Sequence, residues 1–302
     1  MKFKQIVLLD KVGLSDNAVE KLAKFSDSPI KTFSSDPADE AEVCKRISDA
    51  DCIMLTWRTS ISKEVLAKCE NLKFICLCST NSNNIDLNEC AKRGITVSNV
   101  RDYGDEGVVE WIIMQLLLLF RGVGKNQYKG FSSELSGKTI GIFGMGVVGK
   151  LLAKAAKGLG INVLYNSKTR NSDLEKQGIQ FVEKSSLLAK SDIIGLHTPK
   201  NVKILDKSDF DLMQGKILVN TTLGKAFDSS DFMRWIKREN NFAIFDGASE
   251  FGAEFEGLDR VIYSDVVSGL TNEAIERLSQ KTLDNVASYI SGNPINVVTG
   301  LK

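Results

Sequence analysis

Three glycines at the spacing Gly144-Met145-Gly146-Val147-Val148-Gly149 follow directly on an extended apolar run, Lys138-Thr139-Ile140-Gly141-Ile142-Phe143, and lead into a helical pattern over Gly149–Leu159. A loop of this kind can grip a diphosphate. Its first glycine permits a tight turn, its second lets phosphate oxygens approach the backbone, and its third lets helix and strand pack closely. The helix amino end adds amide donors and a positive dipole. A glycine triplet alone is a weak signal, but between a strand and a helix it is specific. It points to a pyridine dinucleotide held by Gly144, Met145, Gly146, Val147, Val148 and Gly149.

The next strand should end at the adenosine ribose. Here the chain runs Tyr165-Asn166-Ser167-Lys168-Thr169-Arg170. A carboxylate at this place would accept from the ribose hydroxyls of NAD and repel a 2′-phosphate. Asn166, Ser167, Lys168 and Arg170 instead offer an amide, a hydroxyl and two cations, which suit that phosphate. NADP(H) is therefore favoured over NAD(H). The bland alternative is a solvated loop whose cations touch nothing.

The elements that must position this loop alternate along the chain. Strands are expected at Gln5–Leu9, Cys52–Leu55, Phe74–Cys78 and Ile95–Ser98, with helices at Ser15–Phe25, Ala38–Ser48, Ser62–Cys69 and Leu87–Arg93 between them. The stretch Asp105–Arg121 reads as a long helix, apolar nearly all round from Ile112 to Phe120 and hence buried. A glycine-rich loop, Gly122–Gly137, follows it. A second series then supplies strands at Thr139–Phe143, Asn162–Tyr165, Ile193–His197, Ile217–Asn220, Ala243–Phe245 and Val261–Tyr263, and a last helix at Asn272–Tyr289. Alternation of this period implies parallel sheets covered by helices. The expected fold is α/β: a Rossmann-type doubly wound domain over residues 99–272, plus a smaller flavodoxin-like domain of residues 1–98 joined by 273–302.

The bulk numbers narrow the class. At 302 residues the chain has room for two domains. Its 39 basic and 38 acidic residues leave a net charge of +1, which offers no long-range attraction to nucleic acid or a membrane surface. The apolar run Val108–Phe120 is too short and too polar to span a bilayer. The amino terminus reads as a strand with no signal-peptide core, so a cytoplasmic protein is expected. Cys44, Cys52, Cys69, Cys76, Cys78 and Cys90 fit no metal-binding spacing and read as small apolar residues in a reducing compartment.

Several further stretches resemble the D-isomer-specific 2-hydroxyacid dehydrogenase family. They are Gly94-Ile95-Thr96-Val97-Ser98-Asn99-Val100, Val108-Val109-Glu110, Leu135-Ser136-Gly137-Lys138-Thr139-Ile140-Gly141, Ser191-Asp192-Ile193-Ile194-Gly195-Leu196-His197-Thr198-Pro199, Ile217-Leu218-Val219-Asn220-Thr221-Thr222 and Gly269-Leu270-Thr271-Asn272-Glu273-Ala274. The resemblance implies cofactor contacts at His197, Thr198, Pro199, Thr221 and Thr222, and from Asp246 toward the nicotinamide side. It implies a small-molecule substrate and a homodimer formed through the cofactor domain. It also implies that His197, the one histidine of the chain, sits near the cofactor in a packing or satisfied role.

The catalytic pattern departs from the family. Leu223 stands where the family's substrate-binding arginine belongs, and Val266 where its proton-donating histidine belongs. Glu250 lies one position off the spacing of the family's glutamate. The family's substrate-side glycine turn is replaced by Ser79-Thr80-Asn81-Ser82-Asn83-Asn84, in which Asn81 could take a left-handed conformation. A leucine pairs with no carboxylate and a valine donates no proton; loss of a general acid costs about 10² to 10⁴ in rate. Two readings follow. One is a reductase for a different substrate, such as an iminium that accepts hydride without an acid, or one in which another residue donates the proton; the catalytic candidates are Asp265, Tyr103, Arg101, Lys225 and Arg58 (beside Trp57), of which Arg58 could hold an anion. The other is a non-catalytic NADP(H)-binding sensor or scaffold.

Overall fold

The computed structural model describes residues 2–248 and 250–300, apart from the side chains of Glu250 and Phe251. In chain order it forms β1 (Ile6–Leu8), α1 (Asp16–Leu22), β2 (Lys31–Thr32), α2 (Glu40–Ile47), β3 (Cys52–Leu55), α3 (Lys63–Lys68), β4 (Phe74–Leu77), α4 (Leu87–Lys92) and β5 (Thr96–Asn99). Next come α5 (Asp105–Arg121), β6 (Thr139–Phe143), α6 (Val147–Gly158), β7 (Asn162–Asn166), α7 (Ser172–Lys176), β8 (Gln180–Phe181), α8 (Lys184–Lys190) and β9 (Ile193–Leu196). The chain finishes with α9 (Lys207–Asp211), β10 (Ile217–Asn220), α10 (Ser229–Ile236), β11 (Phe242–Phe245), α11 (Glu250–Ala253), β12 (Val261–Tyr263) and α12 (Asn272–Ile290). Two compact units result: residues 1–103 with 272–302, and residues 104–271.

The first unit carries a parallel sheet in the order β2-β1-β3-β4-β5, the flavodoxin-like arrangement. Its inner strands are continuous apolar runs because helices cover both faces. Alternate residues divide between those faces: Val7, Ile53 and Ile75 enter one core, Ile6, Cys52 and Cys76 the other. The closing helix α12 packs Leu278, Leu283 and Val286 into the second core, where Tyr289 stacks on Phe74 at 4.4 Å between ring centres. Asp39, Ser62 and Asp86 cap α2, α3 and α4 by accepting from backbone N–H groups three residues on. All six cysteines are free thiols, five of them buried and Cys44 half-buried.

The second unit has a seven-stranded parallel sheet, β8-β7-β6-β9-β10-β11-β12. Counted from β6 within the unit this is the doubly wound order 3-2-1-4-5-6 with one strand added, and the order reverses between β6 and β9. Crevices at such a reversal receive ligands beyond the carboxyl ends of the strands. Helices α5 and α6 cover one face, and α8, α9 and α10 the other. Two expectations change. Helix α6 begins at Val147, so Gly146 is its N-cap. Helix α5 is not buried all round: Met114 and Leu117, three residues apart, stay exposed because no element of the unit covers that side.

Candidate functional site

The three loop glycines meet three different surroundings. Gly144 has φ +90°, and a β-carbon on it would lie 2.2 Å from the carbonyl oxygen of His197. A side chain is thus excluded twice, by backbone conformation and by the β9 turn. Its N–H donates to the carbonyl of Asn166 at 2.9 Å, which ties the loop to the end of β7. Gly149 lies in the first turn of α6, where a β-carbon would meet the Gly144 carbonyl at 2.2 Å. Gly146 differs: a β-carbon there would find no protein atom within 4 Å. The fold itself does not need a glycine at this N-cap. A ligand that comes down onto the backbone does.

Across the strand-order reversal, β9, β10 and β11 end in a group of buried polar atoms that lack hydrogen-bond partners. They are His197 Nε2, Thr198 Oγ1, Asn220 Nδ2 and Asp246 Oδ1. Leaving such an atom unpaired costs about 1–3 kcal/mol; those of Thr198, Asn220 and Asp246 lie at the carboxyl ends of neighbouring strands, whereas His197 Nε2 turns inward against Gly195. Asn220 is oriented by its own turn, with Oδ1 accepting from the Thr222 N–H at 3.1 Å and the Thr222 hydroxyl at 2.6 Å. Asp246 Oδ2 accepts from the Ser268 N–H at 3.1 Å and hydroxyl at 2.5 Å. Burial pushes the Asp246 carboxyl above its usual range even with these donors.

The Nε2 of His197 finds no hydrogen-bond partner. Its ring is accommodated by Gly195, whose β-carbon would lie 2.8 Å from Nε2, and desolvation drives its pKa down to about 4. The imidazole is therefore neutral at physiological pH and is no proton donor there. Thr198 and Thr221 flank this edge, while Pro199 is exposed. Glycines at 144 and 146, the α6 amino end and the unpartnered atoms of Thr198, Asn220 and Asp246 together fit a dinucleotide: the loop and helix end suit its diphosphate, and the strand ends suit its polar rings.

The loop after β7 is more self-occupied than its residue types suggest. Asn166 donates its amide to the Val182 carbonyl at 2.9 Å, and the Ser167 hydroxyl donates to the Thr169 carbonyl. Arg170 forks onto Glu175, Nε at 3.0 Å and Nη2 at 2.5 Å, with its guanidinium 5.0 Å above the Phe181 ring. Lys168 is exposed.

The substrate-side candidates fall in both units. In the first, Arg58 lies over Trp57 at 4.8 Å and 4.0 Å from Asp36. Its loop is pinned by Asp10, a buried carboxylate at the end of β1 that accepts from the Thr56 N–H and hydroxyl and from Thr59 Oγ1 at 2.6 Å. No sequence signal singled out Asp10, whose partners lie 46 and 49 residues away. Arg101 is exposed and Tyr103 half-buried, their carbonyls accepting from Lys281 and Arg277 respectively. Asn81 is not left-handed. Its side chain instead closes an Asx turn by accepting from the Asn83 N–H at 2.8 Å, a conformation open to any φ < 0 residue with a short polar chain.

In the second unit Lys225 pairs with Glu254 at 3.5 Å on a loop held by Asn201. Asp265 is exposed, and its carbonyl abuts Gly247. Leu223 is half-buried and Val266 exposed, so neither apolar side chain is there to fill a core. The side chain of Glu250 lies outside the described residues.

Comparison with known proteins agrees with this architecture. The family described as D-isomer specific 2-hydroxyacid dehydrogenase, catalytic domain, matches residues 6–299. A hydroxypyruvate reductase of Blautia hydrogenotrophica is 30% identical over 287 residues, covering 86% of this chain and 88% of its own. Among solved structures, an acyclic imino acid reductase in complex with NADPH and D-arginine is 28% identical with a TM-score of 0.83, covering 97% of this chain and 99% of its own. D-lactate dehydrogenase of Escherichia coli shares the fold at 23% identity and a TM-score of 0.83, over 99% of this chain and all of its own. The chain belongs to the D-isomer-specific 2-hydroxyacid dehydrogenase family, and is an NAD(P)-dependent oxidoreductase acting on a CH–OH or C=N group.

Proposed function

We propose that this protein is an NADP(H)-dependent reductase for a small imine or carbonyl substrate other than a simple 2-oxoacid. One observation carries the reading: the Gly144–Gly149 loop keeps open space at Gly146 for a diphosphate, while Leu223 and Val266 stand where the family places its carboxylate anchor and its proton donor. Bound NADPH supplies the hydride. The protein's part is to hold the cofactor on the Gly144–Gly149 loop and to keep the acceptor carbon near it. A 2-oxoacid needs a proton on oxygen as hydride arrives, and neither Leu223 nor Val266 gives one. An iminium already carries that proton on nitrogen, so hydride addition yields a neutral amine and no acid is required. The imino acid reductase relative, solved with NADPH, supports the same direction.

In this reading residues 99–272 hold the cofactor and residues 1–98 with 273–302 receive the substrate, Arg58 anchoring an anionic group. Asp265, Lys225, Arg101 and Tyr103 are the polar residues available to shape the rest. The exposed Met114, Leu117, Val123 and Phe131 support a homodimer through the cofactor unit. No helix among the described residues is long and apolar enough to cross a membrane.

The test is ligand-induced stabilisation. NADPH should raise the melting temperature more than equimolar NADH does. Equal shifts would discard the argument from Asn166, Ser167, Lys168 and Arg170. No NADPH turnover across a broad panel of imines, aldehydes and 2-oxoacids would favour a cofactor-binding sensor instead.

A further inference from the structure

The clamp on Arg170 is built more firmly than a surface ion pair requires. Glu175 Oε1 receives Arg170 Nε at 3.0 Å and also the Tyr165 hydroxyl at 2.9 Å, and Oε2 receives Arg170 Nη2. The Tyr165 oxygen in turn accepts from the Asn171 N–H at 2.8 Å. Tyr165 is buried, its phenol held above the usual range by desolvation, and its ring meets Phe181 edge-on at 5.4 Å. Phe181 lies beneath the guanidinium. The Arg170 bonds and the Tyr165 bond keep Glu175 below the ordinary carboxylate range, so it is ionised at neutral pH. The carboxylate that pairs with the loop's arginine is thus fixed from behind by a core tyrosine.

We propose that Glu175 sets the cofactor preference of this enzyme by competing with the ribose 2′-phosphate for Arg170. The proposal rests on the reading above that the β7 loop receives the adenosine ribose. A guanidinium presents five N–H donors on two bidentate edges, each able to take a carboxylate or a phosphate. Glu175 occupies the Nε/Nη2 edge and neutralises the arginine, so a phosphate must displace it or bind the remaining edge beside a like-charged carboxylate. NADH has no phosphate at this position and makes no demand on Arg170. Glu175 therefore weakens NADPH binding selectively and narrows the gap between the two cofactors. The sequence hides this device, because the usual discriminating carboxylate ends the strand. Here it comes from the following helix, five residues after the arginine it holds.

Glu175→Gln keeps the volume and an acceptor for Tyr165 while removing the charge. Titrating wild type and variant with NADPH and NADH by nucleotide fluorescence should show NADPH binding about threefold tighter in the variant and NADH within about twofold of wild type. Adding Arg170→Ala to Glu175→Gln should erase the gain. Parallel changes for both cofactors, no change, or weaker NADPH binding would overturn the proposal. If wild type and variant bind neither cofactor, the cofactor reading itself fails and takes this inference with it. If both bind and only selectivity stays unmoved, the cofactor reading stands and Glu175 is merely structural.

Discussion

At the scale of single residues, the three loop glycines separate what the fold requires from what the ligand requires. Gly149 and Gly144 each face a backbone carbonyl 2.2 Å from where a β-carbon would sit, so Gly149→Ala should lower the melting temperature and weaken NADPH binding together. Gly146→Ala should leave stability within about 0.5 kcal/mol of wild type, since the space beside it is open and its φ of −74° suits alanine. The same change should weaken NADPH at least about tenfold, because the added methyl stands where the diphosphate approaches. Calorimetry and titration on the two variants check this pairing; an unaltered NADPH affinity in Gly146→Ala would deny the loop its role. His197 gives a second residue-scale test. Its pKa falls from 6.5 to about 4 on burial, so the unfolded chain binds the extra proton and stability should decline as pH drops from 6.5 toward 4. Burial raises the carboxyls of Asp10 and Asp246, which gives slopes of the opposite sign. The difference between wild type and His197→Asn isolates the histidine, and the variant should lack roughly 3 kcal/mol of this pH dependence.

At the scale of elements, the sequence was most legible where strands are continuous apolar runs. Thr139–Phe143, Ile217–Asn220 and Val261–Tyr263 fall where the pattern places them. Strands β2 and β8 have two residues each, and α7, α9 and α11 four or five, too short for any periodicity to register. The cofactor edge was legible through Gly144–Gly149, a local signal. The Asp246–Ser268 bonds and the Asp10 clamp were not, because they join residues 22 and 46 apart through the sheet. Asn81 misled because residue type permits a left-handed turn without demanding one. Close packing between β6 and α8 gives an element-scale prediction. A β-carbon on Gly141 would lie 2.4 Å from both Leu187 Cδ2 and Ser191 Oγ, so Gly141→Ala must displace the buried Leu187 and Ser191 side chains packed on β6. Overpacking of this kind costs about 1–3 kcal/mol, measurable as a lower urea midpoint with little change in slope.

At the scale of the whole molecule, a chain with net charge +1 has no bulk field to concentrate a charged substrate, and recognition is therefore proposed to rest on local groups such as Arg58 over Trp57. Association is likewise expected through apolar contact. Met114 and Leu117 lie on one side of α5, and Phe131, in the loop that follows, is 90% exposed. Met114→Glu with Leu117→Glu should turn a dimer into a monomer in sedimentation velocity without unfolding it. A wild type that sediments as a monomer would contradict the proposed dimer, and an unchanged coefficient in a dimeric variant would contradict this interface. The central claim concerns what accepts the hydride, and one assay addresses it. NADPH oxidation is followed with a 2-oxoacid alone and with the same 2-oxoacid preincubated with excess methylamine, which converts it to the imine. Turnover is expected in the second mixture and little in the first; equal or faster oxidation with the 2-oxoacid alone would overturn the imine assignment.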